Sequence, residues 1–266
     1  MTRRLVVVIA AGLLVALLLL PVVTLLGRAA GSGALVGVAG SPVVLEALRL
    51  SLATTAISLL ITILLGTPLA YLLARRTTRL TAIVEVVVDL PLVLPPSVAG
   101  LALLLILGRR GLIGEGLDAV GLAIPFTTLA VIIAQVFVAA PYYVRAARAA
   151  IAGVSRDLQD AARVDGASEV RVFFEVTLAL ARPGISAGLV MSWARSLGEF
   201  GATILFAGNV IGRTQTLPLV VYSEFQSGDL EAAVAAASVL VLAAIGVLVA
   251  ARFARTGRTI EFGAAA

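Results

Sequence analysis

The chain has 266 residues, of which 61% are hydrophobic and only 13% are charged, whereas an ordinary soluble domain carries about 25% charged residues. The apolar excess runs along nearly the whole chain, so a soluble globular enzyme is ruled out as the default and one membrane-embedded domain over residues 1–266 is expected. The sequence has no Cys, no His and no Lys, and its net charge of +5 comes from Arg. The missing residue types exclude disulfides, the usual zinc sites, thiol or imidazole catalysis and a P-loop lysine within this chain.

Six apolar stretches are long enough to cross a bilayer. A spanning helix needs about 20 mostly apolar residues, because its backbone polar groups must satisfy one another inside lipid. The predicted spans are residues 5–26, 50–74, 83–107, 125–144, 183–206 and 232–251. We expect the third span to bend or break, because Pro91, Pro95 and Pro96 remove backbone donors within it. The predicted fold class is an all-α membrane protein with six transmembrane helices.

The distribution of arginine predicts which side of the membrane each loop faces. With the N-terminus in the cytoplasm, the cytoplasmic segments hold 14 of the 20 Arg, the opposite side holds 5, and Arg195 lies within a span. Cytoplasmic loops carry an excess of positive charge. We therefore expect a multi-pass protein of the plasma membrane with both termini in the cytoplasm. The same bias explains the net positive charge without a nucleic-acid partner.

The segment 145–182, between the fourth and fifth spans, is the most informative cytoplasmic connection. Ser155 can cap a short helix that has Asp157 in its first turn, and Gly166 stands where that helix must end and the chain reverse. The pattern predicts a helix, a glycine turn and a second helix. An amphipathic helix that lies on the membrane surface is the alternative interpretation.

This segment resembles the integral-membrane permease subunits of binding-protein-dependent ABC importers, whose loop signature is EAA, three residues, Gly, nine residues and then I-x-L-P. Here an Asp-Ala-Ala triplet replaces EAA, Gly166 matches, and Val-Thr-Leu-Ala replaces the last part, so the match is partial. The resemblance implies a coupling helix that sits in a cleft of a separate cytoplasmic ATPase. The implied ATPase-coupling residues are Asp160, Ala161, Ala162, Gly166, Val176 and Leu178, and the first four form the contact core. ATP and Mg would bind in that ATPase, and this chain is expected to be no enzyme and to hold no cofactor or metal.

Further segments resemble molybdate and tungstate permeases. They are residues 89–96, 107–111, 197–203, 208–209 and 214–219. The resemblance implies import of an oxyanion, molybdate or tungstate, by ATP-driven alternating access between two permease copies in a homodimer. It also implies an extracytoplasmic oxyanion-binding protein that delivers the substrate. Sulfate permeases share the Gly-Glu-Phe-Gly motif at residues 198–201, so a sulfate or thiosulfate permease is the alternative.

The candidates for the pathway and its gate combine a broken backbone, hydroxyl groups and an ion pair. A tetrahedral dianion needs hydroxyls, backbone N–H groups or helix N-termini in place of its hydration shell. The candidates are Pro95, Pro96, Ser97, Arg195, Glu199 and Thr203. Arg195 and Glu199 stand four residues apart, and we expect them to pair on one helix face and to position an outer gate. The alternative is that Arg195 attracts the anion.

Two acidic residues of the third span, Glu85 and Asp89, have the same spacing without a cation on their own span. We expect them near the cytoplasmic end of that span, close to Arg75, Arg76 or Arg79.

The region 208–229 is too polar and too rich in turn residues to remain in lipid, and it faces the side from which a binding protein would deliver substrate. The candidate contacts with that protein are Arg213, Gln215, Glu224 and Gln226. Solvated loop residues without a partner are the alternative for each of them.

The competing functional class is a stand-alone secondary transporter or channel. Such proteins place ionisable groups near the middle of the membrane, and this sequence offers little beyond Arg195 and Glu199 there. A membrane-embedded enzyme would lack a nucleophile and a base. We therefore favour the importer permease.

Overall fold

The computed structural model describes residues 2–33, 37 and 40–261, with side chains for 4–33, 37, 40–249 and 252. Within these ranges the regular secondary structure is entirely helical. The helices are α1 (Thr2–Gly31), α2 (Pro42–Arg75), α3 (Arg79–Val93), α4 (Pro96–Leu107), α5 (Gly114–Ala119), α6 (Thr128–Ala152), α7 (Arg156–Val164), α8 (Glu169–Leu197), α9 (Gly201–Phe206), α10 (Leu217–Ser227) and α11 (Leu230–Glu261).

Five helices are long and apolar enough to span a membrane, namely α1, α2, α6, α8 and α11. The pair α3 and α4 meets the same requirements of length and apolarity only together, and its axes differ by 117° across a short break. The all-α fold with six spans is therefore confirmed, with this bent pair counted as one span. Pro95 has no backbone N–H with which to continue α3, and Pro96 opens α4 at the position where a missing N–H costs least, whereas Pro91 lies inside α3 without ending it.

The connection between the fourth and fifth spans is shorter than the predicted segment 145–182. Helix α6 continues to Ala152 and α8 begins at Glu169, which leaves residues 153–168 between them. Charged residues near helix ends do not interrupt a helix, because long side chains such as Arg can reach toward water while the backbone stays helical.

Two other boundaries also differ from the prediction. The fifth span was expected to reach residue 206, but α8 ends at Leu197 and a turn separates it from α9. The region 208–229 was expected to be a loop, but it contains α10, where Pro218 occupies the first turn, the part of a helix in which its missing N–H costs least.

The chain forms two compact units. One unit comprises residues 50–214, with most of α2 and all of α3 to α9. The other comprises α1, the start of α2, α10 and α11, and its buried cluster is Val44, Ala47, Leu217, Val220 and Ala236. The single domain over residues 1–266 stays a prediction.

Helices α6 and α8 form the centre of the unit of residues 50–214, and two glycines bring their backbones together. A Cβ atom on Gly184 would lie 2.5 Å from the Cβ of Ala150, and one on Gly188 would lie 2.7 Å from the Cβ of Ala146. Small residues four apart allow this close approach between membrane helices. The pairing is antiparallel, so the connecting segment lies at one end of the two helices, and the start of α6 and the end of α8 lie at the other.

Candidate functional site

The connecting segment, residues 153–168, forms a short helix that is capped at both ends. The Oγ of Ser155 accepts a hydrogen bond from the N–H of Asp157 at 3.2 Å. After α7, Gly166 has φ +88° and donates from its N–H to the carbonyl of Arg163 at 3.0 Å, and the next N–H donates to the carbonyl of Ala162 at 2.9 Å. These two bonds form a Schellman motif, which favours glycine at the left-handed position. The predicted helix, glycine turn and second helix are present.

The residues predicted to couple the permease to an ATPase fall into two groups. The exposed or half-buried positions of α7 and its turn hold Asp160, Ala161, Ala162 and Gly166. Val176 and Leu178 lie in α8 and are half-buried, and Leu178 packs against a buried core cluster of the unit. Only the first group forms a surface that is open to a partner along its length.

Sequence reasoning alone misses two apolar side chains on α7. Leu158 is 53% exposed and Val164 is 87% exposed, although large aliphatic side chains are usually buried. Exposed apolar groups with a polar rim mark contacts with proteins or membranes. The signal in the sequence is the presence of these two residues in an otherwise polar or small nine-residue helix.

Arg163 connects α7 to the start of α8. Its Nη1 donates to Asp160 Oδ1 at 2.6 Å, and its Nε and Nη2 donate to the two carboxylate oxygens of Glu169 at 2.6 and 3.0 Å. The hydrogen bonds to Glu169, and then those to Asp160, raise the pKa of the Arg163 guanidinium above its ordinary value. The turn at Gly166 is thus closed by side chains as well as by the backbone.

Two ion pairs link α3 to α6 and correct a prediction. Glu85 Oε1 lies 2.8 Å from Arg148 Nη2, and Asp89 Oδ1 lies 3.6 Å from Arg145 Nε. We expected these carboxylates near the arginines at residues 75, 76 and 79. The antiparallel packing of α3 on α6 brings the arginines of α6 alongside them instead. Arg75 lies over the ring of Tyr71 on the same helix, with its Cζ 5.5 Å from the ring centroid.

The predicted ion pair at the end of α8 is present, although Glu199 lies in the turn after the helix rather than on its face. Arg195 Nη1 lies 2.5 Å from Glu199 Oε2, and the two side chains are 26% and 1% exposed. The other carboxylate oxygen of Glu199 accepts a hydrogen bond from the N–H of Ala202 at 2.7 Å. The carboxylate therefore connects the last turn of α8 to the first turn of α9.

The turn after α8 contacts the break between α3 and α4, so the structure brings two of the predicted pathway segments together. A Cβ on Gly201 would lie 2.8 Å from the Cβ of Pro96 and 3.2 Å from the N of Ser97. A Cβ on Gly100 would lie 2.6 Å from the carbonyl oxygen of Ala202. Pro95, Pro96 and Ser97 themselves are exposed, whereas Thr203 is fully buried.

A buried polar group next to this turn is missed by sequence reasoning. Gln135 on α6 is 2% exposed, and its Nε2 donates to the carbonyl of Ser196 at 3.2 Å and to Thr55 Oγ1 at 3.4 Å. The hydroxyls of Ser58 and Ser196 are 3.4 Å apart. The available signal is that Gln135 is the one amide side chain in the predicted fourth span.

Comparison with known proteins identifies the chain. Residues 66–256 match the family described as the inner membrane component of binding-protein-dependent transport systems. The chain belongs to this family. It is therefore a multi-pass inner membrane permease.

Individual relatives are similar over most of the permease. It is 46% identical over 198 residues to the molybdenum transport system permease protein ModB of Mycobacterium tuberculosis, covering 74% of this chain and 75% of the relative. It is 42% identical over 216 residues to ModB of Escherichia coli K12, with 80% and 94% covered. It is 41% identical over 197 residues to the probable transport system permease protein NifC of Clostridium pasteurianum, with 74% and 68% covered.

Solved structures share the fold of the permease at low sequence identity. A chain of a bacterial ABC transporter that imports the acidic polysaccharide alginate matches with a TM-score of 0.71 and 19% identity, covering 96% of this permease and 94% of that chain. A chain of the MetNI methionine ABC transporter matches with a TM-score of 0.64 and 20% identity, with 80% and 95% covered.

The four residues that were predicted to contact a binding protein differ in exposure. Arg213 and Gln226 are exposed and Glu224 is half-buried, but Gln215 is only 6% exposed and is removed from the surface. Gln215 was expected at the surface, but it is buried together with the other residues that directly precede α10. The Nε2 of Gln226 donates to the hydroxyl of Tyr222 at 2.8 Å on the same helix.

Proposed function

We propose that this permease is the membrane subunit of an ABC importer that carries molybdate or tungstate into the cell. The observation that carries the proposal is an identity of 46% and 42% to proteins named molybdenum transport system permease, over 74% and 80% of the chain. The permease binds no cofactor and hydrolyses no nucleotide, and ATP and Mg bind in a separate ATPase subunit.

The connecting segment is the site at which the ATPase docks. Asp160, Ala161, Ala162 and Gly166 form the contact core, and the exposed Leu158 and Val164 extend it with apolar surface. Small Ala side chains let two backbones approach closely, while burial of a large aliphatic side chain contributes about 1.5–3 kcal/mol. Val176 and Leu178 act from α8, behind this contact core.

The orientation follows from this role and from the distribution of arginine. Docking of a cytoplasmic ATPase requires the connecting segment to face the cytoplasm, and the excess of Arg on the same side agrees with that requirement. Both termini then lie in the cytoplasm, and the start of α6 lies at the opposite face.

The pathway contains the junction at which the α8–α9 turn meets the break between α3 and α4. Glu199 keeps the charge of Arg195 compensated inside the membrane while it holds α9, so the pair sets the position of the gate. The hydroxyls of Ser97 and Thr203 are candidates for replacing part of the hydration shell of the anion. A second copy of the permease completes the pathway as a homodimer.

An extracytoplasmic oxyanion-binding protein delivers the substrate to the face opposite the connecting segment. Arg213, Glu224 and Gln226 are the candidate contacts with it, because their side chains reach the surface at least in part. Gln215 contributes to packing instead.

Transport in a reconstituted system tests the proposed substrate. The permease, its ATPase and its binding protein are assembled in liposomes, and uptake of radiolabelled molybdate, tungstate and sulfate is measured with and without ATP. We expect ATP-dependent uptake of molybdate or tungstate that an equal concentration of sulfate does not displace. Uptake of sulfate that molybdate fails to displace would instead support the sulfate permease.

A further inference from the structure

A cavity at the start of α6 is lined by arginines from two separate loops. Its volume is about 470 Å³, and its lining includes Arg109, Ala123, Phe126, Thr127 and Arg213. We propose that this cavity is a receiving site for the transported oxyanion, on the membrane face opposite the connecting segment. The inference rests on the proposed function for the identity of the anion, because the cavity itself recognises a tetrahedral dianion by charge.

The position of the cavity follows from the length of α6. This helix has 25 residues, and at a rise of ~1.5 Å per residue it is about 37 Å long, enough to cross the hydrocarbon core of a bilayer. The connecting segment follows its last residue, and the cavity is lined by residues that directly precede its first. A site at the start of α6 therefore meets an anion that arrives from the side opposite the ATPase.

The charge of the cavity is only weakly compensated. No carboxylate lies within ion-pair distance of Arg213 in the part of the chain that the structure describes. Arg109 has one acidic neighbour, with its Nε 3.7 Å from Asp118 Oδ1, and the two side chains are 72% and 47% exposed. Exposed pairs of this kind contribute little, so an incoming dianion can compete for Arg109. A guanidinium can also bind an oxyanion with two parallel hydrogen bonds.

The loop that carries Arg213 is fixed against the start of α6 by contacts among described residues. The Oγ1 of Thr128 donates to the carbonyl of Arg213 at 2.8 Å, which ties that loop to the first turn of α6. Phe126 has φ +61°, a left-handed conformation that is uncommon outside glycine. Its ring packs against Gly208, where a Cβ would lie 2.8 Å from the ring.

The size and lining of the cavity suit a partly hydrated oxyanion. At about 30 Å³ per water molecule, the cavity holds roughly 15 waters, so a tetrahedral anion fits together with part of its hydration shell. Thr127 caps α6, and the positive end of the helix dipole adds to the potential at this wall. Aromatic and aliphatic groups form most of the rest of the wall.

A cysteine-modification experiment tests the site directly, because the chain has no Cys of its own. Ala123→Cys places a thiol in the cavity wall, and Ala119→Cys places a matched thiol on the exposed surface of α5. In the assembled transporter, the rates of modification by a negatively and a positively charged methanethiosulfonate are compared. We expect the anionic reagent to react about tenfold faster at residue 123, by electrostatic focusing, and with no such preference at residue 119.

Charge variants separate the cavity from the rest of its surface. In the Ala123→Cys background, Arg109→Gln together with Arg213→Gln should abolish the preference for the anionic reagent, whereas Arg110→Gln, on an exposed side chain outside the cavity lining, should keep it. Millimolar molybdate, tungstate or sulfate should slow modification at residue 123 but not at residue 119. Equal rates for the two reagents, or equal protection at both thiols, would overturn the inference.

The outcomes also separate this inference from the proposed function and from docking of the binding protein. Protection by sulfate, combined with uptake of sulfate alone, supports the cavity and overturns the proposed substrate. Uptake of molybdate without protection at residue 123 overturns the cavity and leaves the proposed substrate in place. If Arg213→Gln weakens affinity for the binding protein while the preference for the anionic reagent persists in the double arginine variant, Arg213 is a docking contact and the inference is wrong.

Discussion

Arg163 and Glu169 are joined across the Gly166 turn by two hydrogen bonds, with Nε 2.6 Å from Oε1 and Nη2 3.0 Å from Oε2. This two-point contact fixes both the distance and the angle between α7 and the start of α8, because a planar guanidinium and a planar carboxylate must lie nearly in one plane. In the proposed function, a movement that the ATPase imposes on α7 is therefore transmitted to α8, which carries the candidate gate residue Arg195 at its other end.

Arg163→Lys should weaken the coupling between ATP hydrolysis and transport. Lysine keeps the charge but cannot form the two parallel bonds, so we expect the ratio of oxyanion transported to ATP hydrolysed to fall about fivefold, at the lower end of measured coupling energies. The ratio is measured in proteoliposomes. Arg171→Lys is the matched control, since Arg171 pairs with Glu175 inside α8 and bridges no two helices. Equal losses in both variants would contradict a special role for Arg163.

Gly166→Ala should reduce retention of the ATPase during co-purification. The residue has φ +88°, and a Cβ added to it would have no neighbour within 4 Å, so backbone conformation is the only obstacle to a side chain. An alanine there costs about 1–2 kcal/mol, which corresponds to roughly tenfold weaker docking if the turn must keep this shape. Gly166→Asn should lose less, because Asn tolerates the left-handed region better.

Gly153→Ala is the control for the Gly166 variants. Gly153 precedes the same segment but has φ −74°, and an added Cβ would meet only ordinary contacts at 3.5 Å or more. We expect ATPase retention at the level of the unsubstituted permease. Similar losses at both glycines would show that the segment responds to any added methyl group rather than to the shape of the turn.

The features that were predictable from the sequence are those set by local chemistry. The apolar runs located the spans, the two consecutive prolines located the break before α4, and Ser155 and Gly166 bounded α7 because caps depend on a few neighbouring residues. The pairing of Arg195 with Glu199 was also accessible, since residues four apart are neighbours near a helix end.

The features that were missed depend on packing between segments far apart in the chain. Nothing near Glu85 in sequence indicates that its partner is Arg148, because that contact arises from the antiparallel packing of α3 on α6. The burial of Gln215 has the same origin. The convergence of Arg109 and Arg213 on one cavity needs two loops about a hundred residues apart, which no local pattern encodes.

Glu199→Gln should destabilise the permease by leaving Arg195 without its counter-charge. Removal of one partner from a buried pair costs about 3–5 kcal/mol, and we expect about 2–3 kcal/mol because Arg195 is partly exposed. Glutamine keeps an acceptor for the N–H of Ala202, so the loss isolates the charge. Thermal unfolding in detergent measures it. Arg195→Met combined with Glu199→Gln should recover part of the stability that Glu199→Gln loses. If the loss in the double variant instead equals the sum of the losses in Arg195→Met alone and Glu199→Gln alone, the two side chains do not form a direct pair.

Gly188→Ala should destabilise the contact between α6 and α8. An added Cβ would lie 2.7 Å from the Cβ of Ala146 and 3.3 Å from the carbonyl oxygen of Tyr143, so the helices must separate. Overpacking of this kind costs about 1–3 kcal/mol. Ala146→Gly in the same chain removes the closer contact and should restore part of the stability. Gly246→Ala is the control, because a Cβ there would have no neighbour within 4 Å, and it should leave the unfolding temperature unchanged or slightly higher. If Ala146→Gly fails to rescue Gly188→Ala, the two residues do not face each other across the helix pair.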